Sequence, residues 1–366
     1  MKNFRYIILL TLIGTSLVSC VPAKNLTFSD NPEIRNVIYL IGDGMGLAHI
    51  YAAMTVSDTP LNIERCTVTG LAKTFSANRY ITDSAAGGTA LATGIKTNNG
   101  YVGADSQGNR LNSILQIAEN NGLATGIICT SSLTDATPAS FIAHQIRRDS
   151  LEAIARDYLK TDIDLFIGGG YDNFAKRSDG LNLADTLRSN GYEVCTSMDM
   201  IMKSNSGKIA GFIAPLDPPS RLRGRGNMLP SATGKAIEIL SRDQDGFFLM
   251  VEGSQIDWAA HNHASDTLVD EALDFDKAIG VALDFAMKNG KTLVVVTADH
   301  ETGGVTITGG DINTRNARLQ FSTTGHSAVM VPVYAFGPGS GKFTGIYDNT
   351  ELFRKILASY KFRNAK

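Results

Sequence analysis

Three apolar stretches of this 366-residue chain each run into residues that bind hard or borderline metal ions. Asn36 to Ile41 leads into Gly42-Asp43-Gly44-Met45-Gly46, Phe247 to Val251 into Glu252-Gly253, and Thr292 to Thr297 into Ala298-Asp299-His300-Glu301. One carboxylate after an apolar run is ordinarily a solvated loop residue. Three argue for a shared ion-binding edge, because ligands of open α/β sheets collect beyond the carboxyl ends of the strands. Asp257 and His261 stand four residues apart, a spacing that puts both side chains on one helical face. Alone they would read as an ordinary surface pair. With His300 and His326 they complete a set of nitrogen and oxygen donors without a thiolate, which suits zinc in a hydrolytic site better than a Cys-rich structural one.

The candidate nucleophile is Ser84, in Thr82-Asp83-Ser84-Ala85-Ala86-Gly87-Gly88-Thr89-Ala90-Leu91-Ala92-Thr93-Gly94. A serine at a helix start is by default an N-cap. Here the small residues after it would let the helix start in close contact with sheet and substrate, where free N–H groups and the helix dipole favour an anion. No histidine base lies nearby in sequence, so the hydroxyl needs a metal to polarise it, and the ligands for one are present.

Positioning these groups is work for an α/β fold. The composition, 43% hydrophobic and 19% charged with 36 Gly and 10 Pro, excludes disorder and fibrous repeats. Length alone leaves one large domain and two smaller ones equally open. Continuous apolar runs alternate with helical patterns, which predicts a central, mostly parallel sheet flanked by helices on both faces. The expected strands are Asn36 to Ile41, Gly126 to Thr130, Asp164 to Ile167, Phe247 to Val251, Thr292 to Thr297 and Val331 to Phe336. Ser265 to Lys288 predicts a covering helix, with Leu268, Ala272, Phe275, Ile279 and Phe285 near helical spacing. Gly170 to Pro230 and Glu301 to Thr324 are polar and glycine-rich and predict long excursions rather than sheet.

Lys+Arg 34 against Asp+Glu 36 gives a net charge of −2 with no basic run, which argues against nucleic acid as a partner. The N-terminus carries an export pattern: cationic Met1 to Arg5, apolar Tyr6 to Val18, then small residues. Leu17-Val18-Ser19-Cys20 is similar to the lipobox of bacterial lipoproteins, which predicts a signal peptide over 1–19 and a lipidated Cys20 on a tether over 20–33. The alternatives are an ordinary cleaved signal or a short membrane anchor. The expected location is the cell envelope or periplasm, with membrane contact through the lipid. Cys66, Cys129 and Cys195 then form an odd set in which at most one pair can bridge, and Cys129 reads as a buried thiol.

Taken in order, Asp43-Gly44-Met45-Gly46, Thr82 to Ala90, Asp135-Ala136-Thr137-Pro138-Ala139, Val251-Glu252-Gly253 with Ile256-Asp257, Thr297-Ala298-Asp299-His300 and Thr324-Gly325-His326 resemble secreted bacterial alkaline phosphatases. The resemblance runs from Asn36 to about Tyr360. It implies one catalytic domain over 34–366 with a three-layer fold, acting on small phosphate monoesters through a phosphoserine. It implies one zinc on Asp257, His261 and His326 and a second on Asp43, Asp299 and His300, with Ser84 facing the second. A magnesium would take Asp43, Thr137 and Glu252, with Asp135 holding its water. Arg148, four residues after His144 on a helix begun by Pro138, matches the arginine that clasps phosphate, and Asp83 is placed to orient it. Its neighbour Arg147 is expected to be a solvated charge.

The implied reaction is two in-line displacements at phosphorus, tolerant of many leaving groups and faster toward alkaline pH. By the resemblance, Trp258 stands where relatives often carry a cationic or His side chain, though Trp also occurs, so weaker retention of product phosphate and an altered magnesium dependence are one expectation and mere packing beside the metal helix an equal one. His49 and His144 are expected to be structural helix residues and His263 at most an indirect neighbour of a ligand. The short span between His300 and His326 leaves little room for inserted elements, and monomer or homodimer stays open. A sulfatase would need Cys/Ser-x-Pro-x-Arg at the nucleophile, and diesterases on this scaffold usually use Thr without the arginine. A non-catalytic binding lipoprotein would be expected to have lost a ligand or the nucleophile, and none is lost.

Overall fold

The computed structural model describes residues 33–360, so Cys20 and the segments 1–19 and 20–32 lie outside the described residues. In chain order the strands are β1 (Asn36–Gly42), β2 (Val68–Lys73), β3 (Ala124–Ser132), β4 (Leu165–Gly169), β5 (Glu193–Cys195), β6 (Ile209–Phe212), β7 (Phe247–Gly253), β8 (Thr292–Thr297), β9 (Glu301–Thr302), β10 (Val305–Asp311), β11 (Asn316–Phe321), β12 (His326–Ser327), β13 (Val331–Phe336) and β14 (Gly345–Asp348). Ten of them form one sheet in the order β14-β2-β13-β8-β1-β7-β3-β4-β6-β5. Only β13 runs against its neighbours there, pairing antiparallel with β2 and β8.

The centre of the sheet is apolar because it is covered twice. Every residue of β1, β3, β7 and β8 is buried, which is why these strands read as continuous runs. Adjacent residues of β7 show the two faces. Phe247 packs on Phe285 of the long helix Ser265–Asn289, with ring centroids 5.8 Å apart, while Phe248 stacks on Phe141 at 6.2 Å from the other side. The long helix shares its face of the sheet with Met228–Leu240 and ends one residue past the expected boundary, where Gly290 takes the left-handed cap (φ 69°). Helices Ser84–Thr93 and Ile114–Asn120 complete the three layers. No helix among the described residues is long and apolar enough to cross a membrane.

Three expectations need correction. The stretch from Gly170 to Pro230 is not free of sheet: β5 and β6 extend the parallel ladder beyond β4. They are only three and four residues long, too short for an apolar pattern to stand out between polar turns. Between Glu301 and Thr324 the chain does leave the main sheet, but as an antiparallel hairpin of β10 and β11 rather than an irregular loop. The edge strands β2 and β14 escape the reading because half-exposed strands carry no continuous apolar run. Cys66, Cys129 and Cys195 are all free thiols, and Cys129 is buried as expected.

Candidate active site

The parallel register brings the expected ligands to one edge. Ile41 is level with both Glu252 of β7 and Thr297 of β8, and Cys129 of β3 is level with Glu252. Asp43 therefore leaves β1 beside Glu252 and the segment Ala298-Asp299-His300. The turn after Asp43 depends on Gly44, whose φ of 69° suits glycine. A side chain there would also strike the Thr302 hydroxyl at 2.7 Å and the Asp257 backbone at 2.9 Å. Its N–H donates to Asp299 Oδ1 at 3.1 Å. His326 arrives from far along the chain because β12 pairs with β9, His326 opposite Thr302.

Asp257 and His261 do share a face of the helix Gln255–His261, with His261 Nε2 3.3 Å from Asp257 Oδ2. Two donor groups result: Asp257, His300 and His326, and Asp43, Asp299 and His300, each with its donor atoms within 4.8 Å of one another. His261 Nε2 joins the first at 3.1 Å from His326 Nε2. All three imidazoles are held by Nδ1. His261 Nδ1–H donates to Thr324 O at 2.5 Å and His326 Nδ1–H to Thr82 O at 2.8 Å, since a carbonyl can only accept. His300 Nδ1 meets the Thr302 hydroxyl at 3.2 Å. The Nε2 atoms are thereby turned inward, as metal-binding imidazoles require.

Charge in this edge is unusually uncompensated. Asp43 Oδ1, Asp299 Oδ2 and both oxygens of Glu252 are buried without a hydrogen-bond partner. Burial, reinforced by neighbouring carboxylates, holds Asp43 and Glu252 well above the usual range, and burial followed by the charge of Asp257 pushes Asp299 up to about 7. Asp257 differs: burial raises it, but the His261 hydrogen bond and the surrounding imidazoles outweigh that and bring it to about 2. The same bond raises His261 to about 9. Burial keeps His300 neutral, its value far below the ordinary one. Buried oxygens of this kind are satisfied by cations, and an all-nitrogen-and-oxygen donor set fits zinc or magnesium. Thr137 Oγ1 lies 3.4 Å from Asp43 Oδ2, while His300 Nε2 lies 3.5 Å from the other oxygen, Oδ1.

Ser84 is the first residue of the helix Ser84–Thr93 and not its cap. Asp83 caps it, accepting from Ala86 N at 3.0 Å, which leaves the Ser84 hydroxyl free to approach His300 Nε2 at 3.1 Å. A side chain at Gly87 would strike Asp299 O at 2.9 Å, so the helix can lie this close only because its first turns are small. Arg148 is not on a helix. The turn begun at Asp135 stops at Ala139, and Arg148 sits in a loop fastened by its N–H to Gly100 O at 2.8 Å and by the Val102–Gln145 bridge. Its guanidinium reaches the expected Asp83, Nη1 3.5 Å from Oδ2, and also Asp135, whose expected place was beside a magnesium-bound water, Nη2 3.3 Å from Oδ1. Arg147 beside it is exposed.

The other histidines fall outside the two groups. His49 is buried in the helix Leu47–Val56 and accepts from Gly46 N at 3.2 Å, behind the Asp43 turn. His144 is a loop residue held by Gly103 O and Gln116, which corrects the expected helix placement. His263 stacks on Phe321 and donates to Thr323 O at 3.1 Å, next to the carbonyl that holds His261. Trp258 is half-buried and lines a cleft of about 500 Å³ with Pro218, Arg223, Gln255 and Asn262. Thr302 carries no motif and went unassigned in the sequence; its partners lie 45 residues away and two residues away in the chain.

A hard-donor edge around a helix-start serine, with a guanidinium held between two aspartates, defines a hydrolase of anionic esters built on a three-layer α/β scaffold. The profile of the alkaline phosphatase family matches residues 34–319. Alkaline phosphatase 4 of Bacillus subtilis (strain 168) is 33% identical over 91% of this chain and 90% of its own length. The alkaline phosphatase of Escherichia coli (strain K12) is 31% identical over 91% and 87%. The solved alkaline phosphatase of the Antarctic bacterium TAB5 superposes with a TM-score of 0.86 at 41% identity, covering 91% of this chain and 99% of that one. The chain belongs to the alkaline phosphatase family and is a phosphomonoesterase.

Proposed function

We propose that this phosphomonoesterase works through a phosphoserine on Ser84, with two zinc ions and one magnesium. Asp257, His261 and His326 would hold one zinc, Asp43, Asp299 and His300 the other, and Asp43, Thr137 and Glu252 the magnesium, whose water Asp135 would accept from. The observation that carries this reading is the set of buried, unpartnered oxygens on Asp43, Asp299 and Glu252, two of them facing the same His300 Nε2 that the Ser84 hydroxyl approaches. When bound, the ions supply Lewis acidity at the attacking and leaving oxygens.

The chain's own groups do the rest. Arg148, steadied by Asp83 and Asp135, offers two parallel N–H groups to two non-bridging phosphate oxygens and so favours a dianionic monoester over a diester. Ser84 Oγ gives up its proton to solvent and attacks phosphorus in line, the ester oxygen leaves with the bond pair and takes a proton from water, and a phosphoserine forms. Water then attacks the same phosphorus from the vacated side and returns Ser84, releasing inorganic phosphate. With no side-chain acid obligatory, many leaving groups are accepted, and turnover rises toward alkaline pH as the nucleophiles deprotonate. We also propose export to the cell envelope and membrane anchoring through a lipidated Cys20, the reading the N-terminal pattern supports best.

Hydrolysis of p-nitrophenyl phosphate and its bis-ester by protein lacking residues 1–20 tests the reaction, after chelation and after return of zinc and magnesium. The expected result is metal-dependent monoester turnover that falls about a thousandfold or more in Ser84→Ala. Preference for the diester would remove Arg148 from its role.

A further inference from the structure

We propose that the Thr302 hydroxyl is a positioning group that couples the two zinc sites, fixing the tautomer of His300 in one and the orientation of Asp257 in the other. This rests on the two-ion reading above. Thr302 is fully buried, and its Oγ1 makes a short hydrogen bond to Asp257 Oδ1 and a second contact, of 3.2 Å, to His300 Nδ1. Asp257 as a carboxylate can only accept, so the single hydroxyl proton goes to it. The Thr302 oxygen then has only lone pairs for His300, and Nδ1 must carry the hydrogen. That leaves the Nε2 lone pair of His300 facing Asp43 Oδ1 at 3.5 Å, Asp299 Oδ2 at 3.2 Å and Ser84 Oγ at 3.1 Å.

His261 and His326 obtain the same tautomer from backbone carbonyls, which no substitution removes. His300 alone of the three obtains it from a side chain. The backbone of Thr302 tightens the link further, since its N–H donates to Gly44 O at 3.0 Å, on the Asp43 turn, and its strand partner is His326. An ion drawing charge from Asp257 leaves that carboxylate a weaker acceptor, relaxes the polarisation of the Thr302 O–H and so loosens its oxygen's hold on the His300 N–H. Loading of the two sites is therefore negatively cooperative through one oxygen atom.

The test is zinc uptake by metal-stripped protein, followed by competition with a chromophoric chelator, in wild type, Thr302→Val and Thr302→Ser. Val keeps the shape and removes the oxygen; Ser keeps the oxygen. Thr302→Val is expected to weaken both uptake steps by about 10–100-fold and to abolish their cooperativity, with Thr302→Ser close to wild type. Nitrogen-15 spectra of the imidazoles in the stripped proteins give a readout independent of any ion. His300 should show a protonated Nδ1 in wild type and the Ser variant, and a mixture of tautomers in the Val variant. Wild-type uptake by Thr302→Val, equal impairment by Ser and Val, or an unchanged His300 tautomer each overturns the proposal. Absence of zinc uptake by wild type would defeat the two-ion reading instead, and the nitrogen-15 comparison would still decide whether Thr302 sets the tautomer. Should Thr302→Val fail to fold, Thr302→Ala takes its place, with Thr302→Ser as the rescue.

Discussion

Two buried clusters of carboxylates in this protein have been treated oppositely. On the long helix, Glu271 and Asp274 lie almost without exposure, and Asp270 lies beside them. Arg225 bonds both Glu271 oxygens and reaches Asp274 Oδ2 at 3.0 Å, while Arg221 bonds Asp270. The chain supplies its own cations there, and the result fastens the segment around Ser220 to Arg225 against the helix. At the sheet edge, Asp43, Glu252, Asp257 and Asp299 are as deeply buried, yet the one guanidinium nearby, Arg148, is spent on Asp83 and Asp135. A fold that neutralises one acidic cluster with arginines and gives the four carboxylates of the other none has kept the second for a cation from solution.

Substitutions that swap these roles should give the largest effects. Arg225→Met strands Glu271 and Asp274 and is expected to lower the unfolding free energy by about 3–5 kcal/mol, with turnover near wild type at a temperature where the variant is folded. Asp299→Asn should do the reverse. Its amide can donate across the present 3.2 Å gap to His300 Nε2 while Oδ1 keeps the Gly44 and His300 N–H bonds, so the metal-stripped protein gains stability. Its metal-supported turnover should drop about a hundredfold or more. Calorimetry of the stripped proteins beside steady-state rates checks both. If Asp299→Asn destabilises the stripped protein as Arg225→Met does, the contrast between the clusters collapses.

Acidity gives a second, smaller separation. In the stripped protein the raised value of Asp299, about 7 against 3.8, means that the folded state holds more protons than the unfolded one between those values, so stability falls as pH rises; Asp43 and Glu252 act in the same direction. His261, raised from 6.5 to about 9, adds stability that is full below pH 6.5 and gone once pH passes about 9. Asp257, depressed from 3.8 to about 2, adds stability above pH 3.8 that is lost as pH falls through 2. His300, held far below 6.5 by burial, opposes the falling trend up to pH 6.5, so the stripped protein should lose stability most clearly between pH 6.5 and 9. With zinc and magnesium the trend reverses, because ions compete with protons for the same atoms. Asp274, raised mainly by burial, contributes equally with and without ions, so the difference between the two melting profiles isolates the edge. Parallel profiles would mean that no ion binds there.

Much of this edge is legible in the chain because it depends on strand ends. Asp43, Asp299 and His300 follow a fully buried strand and Glu252 lies at the end of one, and a continuous apolar run is the clearest signal a sequence offers. Asp257 and His261 are legible from helical spacing. Arg148 was reached through resemblance, and the helix assigned to it was mistaken: the segment from His144 to Ser150 is polar without period, and Asp157 Oδ2 takes the His144 N–H and the Gln145 side chain, holding an extended path. Thr302 was invisible. Its importance lies in two side-chain contacts made only after β9, β12 and the helix Gln255–His261 have met, and no spacing along the chain encodes that meeting.

The smallest expected effect lies at the rim, where the comparison can be tested by adding a cation rather than removing one. Trp258 sits one residue beyond Asp257 on the helix Gln255–His261, half-buried. Arg148 is the permanent positive charge that the described residues bring to this edge, already shared with two aspartates. Trp258→Lys would bring a second. A partly exposed ion pair contributes about 1 kcal/mol, so the inhibition constant for inorganic phosphate should fall about fivefold. Release of the more tightly held product would slow turnover wherever it limits the rate. Trp258→Phe, which keeps an aromatic wall on the cleft shared with Pro218 and Asn262 but adds no charge, should leave the constant unchanged. Equal shifts in the two variants would assign Trp258 to packing alone. A shift confined to Lys would show that the edge, sparing of cations by construction, binds its product no more tightly than turnover requires.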